Sequence, residues 1–129
     1  MPSLPAGSTD TAEPFRPPAP LAVRIAGPAG AIEARVEDPL PAGATRRVVG
    51  VVCHPHPLFG GTMQNKVVHT AARAMQEAGA ATVRFNFRGV GASEGQHDRG
   101  VGDLAEALAV SDWTRRYFAC DALWLGGFS

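Results

Sequence analysis

The sequence lacks the charge excess that marks several large classes of protein. Its 12 Lys and Arg are balanced by 12 Asp and Glu, which leaves no formal net charge, and it has no polybasic run or basic amphipathic helix. Nucleic-acid-binding proteins usually carry a basic excess that neutralises phosphates. The charge balance therefore argues against nucleic-acid binding and against attachment to a membrane surface.

Long apolar runs and cysteines are also scarce. No stretch approaches the roughly 20 apolar residues that span a bilayer, and no secretory signal is visible at the N-terminus. Only Cys53 and Cys120 are present, each in an apolar run and without a Cys-x-x-Cys partner, so a structural zinc site has no support. We expect a soluble, cytoplasmic protein with two buried free thiols.

Proline, by contrast, is concentrated at the start of the chain. Residues 1–20 contain six prolines and show no apolar period. Proline removes backbone donors and fixes φ, so we predict a flexible, proline-rich leader over residues 1–20. The ordered domain is expected to begin at Leu21.

From Leu21 the pattern indicates alternating strands and helices. Apolar and polar residues alternate on both sides of a Gly-Pro turn, which predicts a β-hairpin over residues 21–38 with one buried face. The next run, Val48–Cys53, is continuously apolar and β-branched, as in a strand buried on both faces. The later predicted elements are a helix over 65–79 ending at Gly79, a strand over 81–87, an amphipathic helix over 101–118 and a short buried strand over 121–127. This order predicts an α/β three-layer sandwich with a mostly parallel sheet and crossover helices.

The last three residues form the start of a possible nucleophile turn. Gly127-Phe128-Ser129 follows the last predicted strand and matches the first three positions of G-x-S-x-G. That motif places a serine on a sharp, closely packed turn between a strand and a helix. Ser129 is therefore the candidate catalytic nucleophile, although an ordinary turn would also fit so short a match.

A second segment, His54 to Gly61, follows the strand Val48–Cys53 and reads HPHPLFGG. A glycine-containing loop at the carboxyl end of a strand can aim backbone N–H groups at an oxyanion. Because prolines lack that N–H, the candidate donors are His56 and Leu58, ahead of Phe59 and Gly60. The histidine side chains are expected to shape the loop. In an alternative interpretation, His54 and His56 would bind a metal ion.

A third segment, Phe85 to Gly95, is glycine-rich and follows the strand over 81–87. Its spacing, G-x-G-x-x-x-G, is one residue longer than the dinucleotide-binding fingerprint, and the next predicted helix begins several residues later. We therefore favour a tight loop with glycines at positive φ over a dinucleotide site. Arg88 is expected to tie this loop to carbonyls or a carboxylate.

Together the three segments resemble the α/β-hydrolase superfamily. Within it they are similar to a bacterial group of small hydrolases marked by HPHP…GGTMxNK, FRGxGxSxG and GGFS, which here read HPHPLFGGTMQNKVV, FNFRGVGASEG and GGFS. The resemblance runs from Leu21 to Ser129. It implies the N-terminal portion of the α/β-hydrolase fold, the first five strands of an eight-stranded sheet, over residues 21–129.

The resemblance also implies a chemistry. The family uses a Ser-His-Asp triad without a cofactor to hydrolyse an ester, thioester or amide of a small-molecule acyl substrate through an acyl-serine. Ser129 matches the nucleophile, and the HPHP loop matches the first oxyanion contributor. The acid and the histidine follow the serine in this family, so we expect a truncated sequence whose 129 residues are inactive alone. The alternatives are a non-catalytic fragment that acts through a partner and a metal-dependent hydrolase using the H-x-H pair; substrate and oligomeric state stay open.

Overall fold

The computed structural model describes residues 15–40, 48–55, 61–98 and 100–127. Its described elements are the strands β1 (Leu21–Gly27), β2 (Gly30–Glu37), β3 (Val48–Val52), β4 (Ala81–Phe85) and β5 (Ala122–Gly126) and the helices α1 (Lys66–Glu77) and α2 (Asp103–Phe118). The predicted order of elements is confirmed. Residues 1–14 of the predicted leader lie outside the described residues, and 15–20 form neither helix nor strand. Among the described helices, none is long and apolar enough to cross a membrane.

The five strands form a single sheet in the order β1-β2-β4-β3-β5. The hairpin strands β1 and β2 pair antiparallel, and β2 also pairs antiparallel with β4. On the other side, β3 lies parallel to both β4 and β5. The predicted α/β class is confirmed; the sheet is mixed because the hairpin docks antiparallel on the parallel strands.

Both faces of the sheet are covered, each by one helix. In β3, Val49 and Val51 face the cluster that includes Ala107 and Val110 of α2. Since side chains alternate along a strand, Val52 faces the opposite side, where it packs with Val68 of α1. The prediction that β3 is buried on both faces is therefore confirmed.

Gly50 allows α1 to approach the sheet closely. A Cβ at this position would collide with Sδ of Met75 on α1. The helix begins after Asn65, whose Oδ1 accepts a hydrogen bond from the Val67 N–H at 2.9 Å, and Gly79 follows its end with a φ of 97°. The predicted helix and its stop are confirmed. Val67, although apolar, is half exposed.

The predicted amphipathic helix is confirmed as α2, and its buried stripe includes polar side chains. Leu104 and Leu108 are 70% and 58% exposed, whereas the stripe runs through Glu106, Val110 and Thr114, four residues apart. The polar members of this stripe are compensated inside the protein: Thr114 Oγ1 donates to the Val110 carbonyl at 2.7 Å, and Glu106 Oε1 accepts from an N–H of the loop after β4. These hydrogen bonds allow polar side chains to be buried beside the apolar core residues of the same helix.

The prediction of β5 as a buried strand is half right. The strand is present, but Trp124 is 43% and Leu125 56% exposed. The physical reason is that the two described helices pack mainly against β1, β3 and β4 and leave much of both faces of β5 uncovered. In the described chain β5 is also the edge of the sheet, paired only with β3.

Candidate functional site

The ends of the parallel strands bring three chain segments together. Parallel strands present their carboxyl ends at one edge of a sheet, where ligand sites of α/β proteins form. Directly after β3, the Cys53 N–H donates to the Gly126 carbonyl at the end of β5 at 2.8 Å. A Cβ on Gly127 would lie 3.5 Å from Cβ of Cys53. The segment that precedes the candidate nucleophile therefore lies beside the segment that precedes the HPHP loop.

His54 connects the end of β3 to the end of β4. Its ring is buried, its Nε2 accepts a hydrogen bond from the Phe87 N–H at 3.0 Å, and its Nδ1 lies 2.7 Å from the Pro55 carbonyl. An acceptor at Nε2 requires the neutral ring with its proton on Nδ1, which then donates to Pro55. Burial lowers the pKa of His54 and favours the same neutral form. The expectation that this histidine shapes the loop agrees with its contacts.

These contacts weigh against the metal alternative. A histidine binds a metal through a free ring lone pair, and in His54 that lone pair already accepts the Phe87 N–H. In the part of the chain that the structure describes, no group of three or more His, Cys, Asp or Glu could hold a metal ion. His69, on α1, is exposed, and its Nε2 lies 2.9 Å from Oε1 of Gln64.

The three predicted catalytic residues, Ser129, His56 and Leu58, lie outside the described residues. The described chain reaches Pro55 before the HPHP loop and resumes at the buried Gly61 after it. On β5 it reaches Gly127. The structure therefore fixes the approaches to these residues, whereas their catalytic roles stay predictions.

Cys53 is not placed as a reactive thiolate. Cys53 and Cys120 are free and half-buried, so the expected full burial is not reached. Burial, together with the nearby carboxylate of Asp103, raises the pKa of Cys53 to about 11. A thiol with so high a pKa is almost wholly protonated at neutral pH and is a poor nucleophile. Cys53 supports the junction with Gly127 as a packing residue.

The glycine-rich loop after β4 is tied to the hairpin by carboxylates. Glu33 Oε1 accepts from the Ala92 N–H at 2.7 Å and from Asn86 Nδ2 at 2.8 Å, and Glu94 Oε1 accepts from the Ala31 N–H at 2.8 Å. Hydrogen-bond donation, first from Ala92, lowers the pKa of Glu33. Ser93 Oγ accepts from the Glu33 N–H at 2.9 Å. Such carboxylates would repel a pyrophosphate, so the loop is built for attachment to the hairpin and not for a dinucleotide.

Glycine is required where this loop turns most tightly. Gly89 has a φ of 76°, and a Cβ there would lie 2.6 Å from the backbone N of His97. Any other residue at this position would be strained, because its backbone would need a positive φ and its Cβ would collide with the neighbouring backbone. The predicted tight loop with glycine at positive φ is confirmed.

Arg88 ties the loop to α2, as predicted, through a carboxylate that the sequence analysis missed. Glu106 is fully buried; its Oε1 accepts from the Arg88 N–H at 2.6 Å, and its Oε2 forms an ion pair with Arg88 Nε at 3.4 Å. Arg88 Nη1 also pairs with Asp98 at 3.3 Å. Burial raises the pKa of Glu106. Glu106 lies four residues before Val110, and this helical spacing could have indicated that it is buried. Its charge, however, is typical of a solvent-exposed residue.

No family model matches the chain. Among curated proteins, it is 42% identical over 90 residues to the uncharacterized protein RP471 of Rickettsia prowazekii (strain Madrid E), a match that covers 70% of this chain and 37% of that protein.

The solved structures similar to the chain are α/β hydrolases. One is an α/β serine hydrolase without a lid from Xanthomonas campestris, with 44% identity, a TM-score of 0.78 and coverage of 91% of this chain and 54% of that one. Another is an α/β serine hydrolase homologue from Coxiella burnetii, with 49% identity, a TM-score of 0.76 and coverage of 84% and 51%. A putative α/β hydrolase from Agrobacterium tumefaciens has 36% identity and a TM-score of 0.75, with coverage of 84% and 49%.

The chain therefore spans about half the length of these solved relatives. Its sheet and helices match the N-terminal portion of the α/β-hydrolase fold, as the sequence predicted. At the level of the superfamily, the resemblance read from the sequence motifs is supported.

Proposed function

We propose that this chain forms the N-terminal half of a serine hydrolase with Ser129 as its nucleophile. The observation that carries the proposal is the junction of β3 with β5, where the Cys53 N–H meets the Gly126 carbonyl at 2.8 Å. Ser129 follows three residues after Gly126, and the HPHP loop begins directly after Cys53. A nucleophile and an oxyanion donor must stand on adjacent segments because both act on the same carbonyl group.

The similarity to solved serine hydrolases supports the same proposal. Identities of 44% and 49% extend over 91% and 84% of the chain, and the matched fold places reactive groups at the carboxyl ends of the strands. Fold alone does not set function, so the assignment depends on the residues at that edge.

In the proposed reaction, Ser129 Oγ attacks the carbonyl carbon of an ester, thioester or amide. Its proton passes to a histidine base, the bond to the leaving group breaks, and the leaving group takes that proton. Water then attacks the acyl-serine, which releases the carboxylic acid and regenerates the hydroxyl. His56 or Leu58 supplies a backbone N–H to the oxyanion. We propose that the base and its acid follow Ser129, in the order that the superfamily uses.

The test measures hydrolysis by the protein expressed from its natural gene. We expect turnover of p-nitrophenyl acetate, and labelling by a fluorophosphonate on Ser129 in peptide mass spectra. Replacing Ser129 by alanine should lower kcat/KM by about 10³-fold or more, because the hydroxyl forms the covalent intermediate.

Ser111 provides the matched control. It is buried in α2 and takes no part in the proposed chemistry, so Ser111→Ala should keep kcat/KM within about twofold. Full turnover by Ser129→Ala, or a label on another residue, would refute the proposal.

A further inference from the structure

We propose that two side chains at the end of β4, one on the strand and one directly after it, are each oriented by a carboxylate of the hairpin strand β2 and act as positioning residues for the oxyanion loop. They are Arg84 with Glu37, and Asn86 with Glu33. Both reach the backbone of Met63, which lies between the HPHP loop and α1. The inference rests on the proposed hydrolase function and adds the residues that hold its oxyanion donor in place.

Arg84 holds the carbonyl of Met63. The side chain is 1% exposed within the sheet, and its Nη1 donates to the Met63 carbonyl at 2.7 Å. Its Nε donates to Glu37 Oε1 at 2.8 Å. The guanidinium is a rigid planar fork, so fixing Nε on Glu37 also fixes the direction in which Nη1 points.

Asn86 holds the N–H of the same residue. The Met63 N–H donates to Asn86 Oδ1 at 2.8 Å, and Asn86 Nδ2 donates to Glu33 Oε1 at 2.8 Å. Because an ionised carboxylate can accept hydrogen bonds but cannot donate them, the amide nitrogen of Asn86 must face Glu33. The amide oxygen is thereby turned towards Met63.

Met63 is consequently fixed on both of its backbone polar groups and also by its side chain, which is 1% exposed. On the other side of the HPHP loop, His54 is fixed by the Phe87 N–H. The described residues on the two sides of the HPHP loop, His54 and Met63, are therefore both held at the end of β4. Preorganised donors stabilise an oxyanion because they need no reorganisation during the reaction.

Stability alone does not account for this arrangement. A buried ion pair such as Arg84–Glu37 gains little over well-packed apolar residues, because both charges lose their hydration. The ion pair here orients the guanidinium of Arg84 towards the Met63 carbonyl. An apolar pair could fill the same space but could not form that hydrogen bond.

The test compares Asn86→Ala with two reference variants in the protein expressed from its natural gene. Asn86→Ala frees the Met63 N–H and should lower kcat by about 10–100-fold while KM changes by less than about threefold, because a displaced donor affects mainly the transition state. Glu33→Gln keeps an acceptor for Asn86 and should retain most of kcat, whereas Glu33→Ala should resemble Asn86→Ala.

Thr82→Val is the matched structural control. Thr82 is buried in β4, the strand that leads to Asn86, and accepts from Gln76 Nε2 at 2.8 Å, so its loss destabilises β4 without touching Met63. It should lower the unfolding midpoint as Asn86→Ala does, yet leave kcat within about twofold. Equal losses of kcat in both variants would overturn the positioning role.

Amide hydrogen exchange separates this inference from the proposed function. The Met63 amide should exchange at least about tenfold faster in Asn86→Ala than in Thr82→Val. Unchanged exchange would refute the clamp whatever the activity. An inactive wild-type protein would refute the proposed function and the catalytic part of this inference, and the exchange rates would still decide whether Asn86 holds Met63.

Discussion

At the scale of single residues, the buried charge of Arg84 on β4 helps to hold the edge of the site. Every residue of β4 is buried, including Arg84. The sequence pattern indicated a strand here, and it gave no partner for this arginine. Glu37 lies 47 positions earlier in the chain, and pairings across such distances leave no local signal.

Arg84→Met should destabilise the protein strongly. The variant leaves the carboxylate of Glu37, which is 7% exposed, without its ion-pair partner, and breaking a buried pair in this way costs about 3–5 kcal/mol. The measurement is the free energy of unfolding in urea. Adding Glu37→Leu to Arg84→Met should recover most of the loss, since it removes the unpaired charge. A single variant within about 1 kcal/mol of wild type would contradict this account.

His54 should make stability depend on pH. Its pKa is lowered by burial, so the unfolded chain binds the proton more readily than the folded chain. The contribution of the neutral ring is complete above about pH 6.5, the ordinary pKa of histidine, and declines as the pH falls towards the lower pKa of the folded state.

The measurement for His54 is the urea midpoint between about pH 5 and 8. His54→Gln retains an acceptor for the Phe87 N–H but does not titrate in this range. Its midpoint should therefore fall less than that of the wild type as the pH decreases. If the urea midpoints of the two proteins changed in parallel with pH, His54 would not be the cause of the pH dependence of stability.

At the scale of elements, the sequence predicted the existence and order of strands and helices well, because their apolar periods are local. It failed where burial depends on distant parts of the chain. Glu106 of α2 is buried because it accepts a hydrogen bond from Arg88 on the loop after β4. In the same way, β5 has an apolar composition but lies at the edge of the described sheet.

The candidate site was predictable only in part. The motifs indicated which loops would meet, since parallel strands end at one edge, and the roles expected of His54 and Arg88 agree with their hydrogen bonds. The clamp on Met63 was not predictable, because Asn86 and Arg84 act through backbone atoms, whose positions no side-chain pattern records.

At the scale of the whole molecule, β5 is the edge of the described sheet, and this edge should control association of the 129 residues when they are prepared alone. In a preparation of these 129 residues, we expect oligomers that form through β5, because an apolar edge strand presents unpaired backbone groups to a second chain. Leu125→Lys should shift the mass measured by light scattering towards the monomer.

Leu104→Lys is the control for this prediction. Leu104 is also exposed, at 70%, but it lies on a helix and offers no strand for pairing. Its replacement should leave the oligomers in place. If Leu104→Lys dissociated the oligomers and Leu125→Lys did not, the interface would lie on α2 and not on β5.

The antiparallel pairing of β2 with β4 has a consequence for synthesis on the ribosome. Ala34 pairs with Phe85, so the N-terminal hairpin must wait for roughly fifty further residues, or about 3–10 s at ordinary elongation rates. During that interval the β2 edge of the hairpin has no partner strand, and its pairing depends on a contact of high sequence separation, which slows folding. The hairpin is made first but joins the native sheet only after β4 has emerged, so its unpaired edge is available to chaperones during this interval.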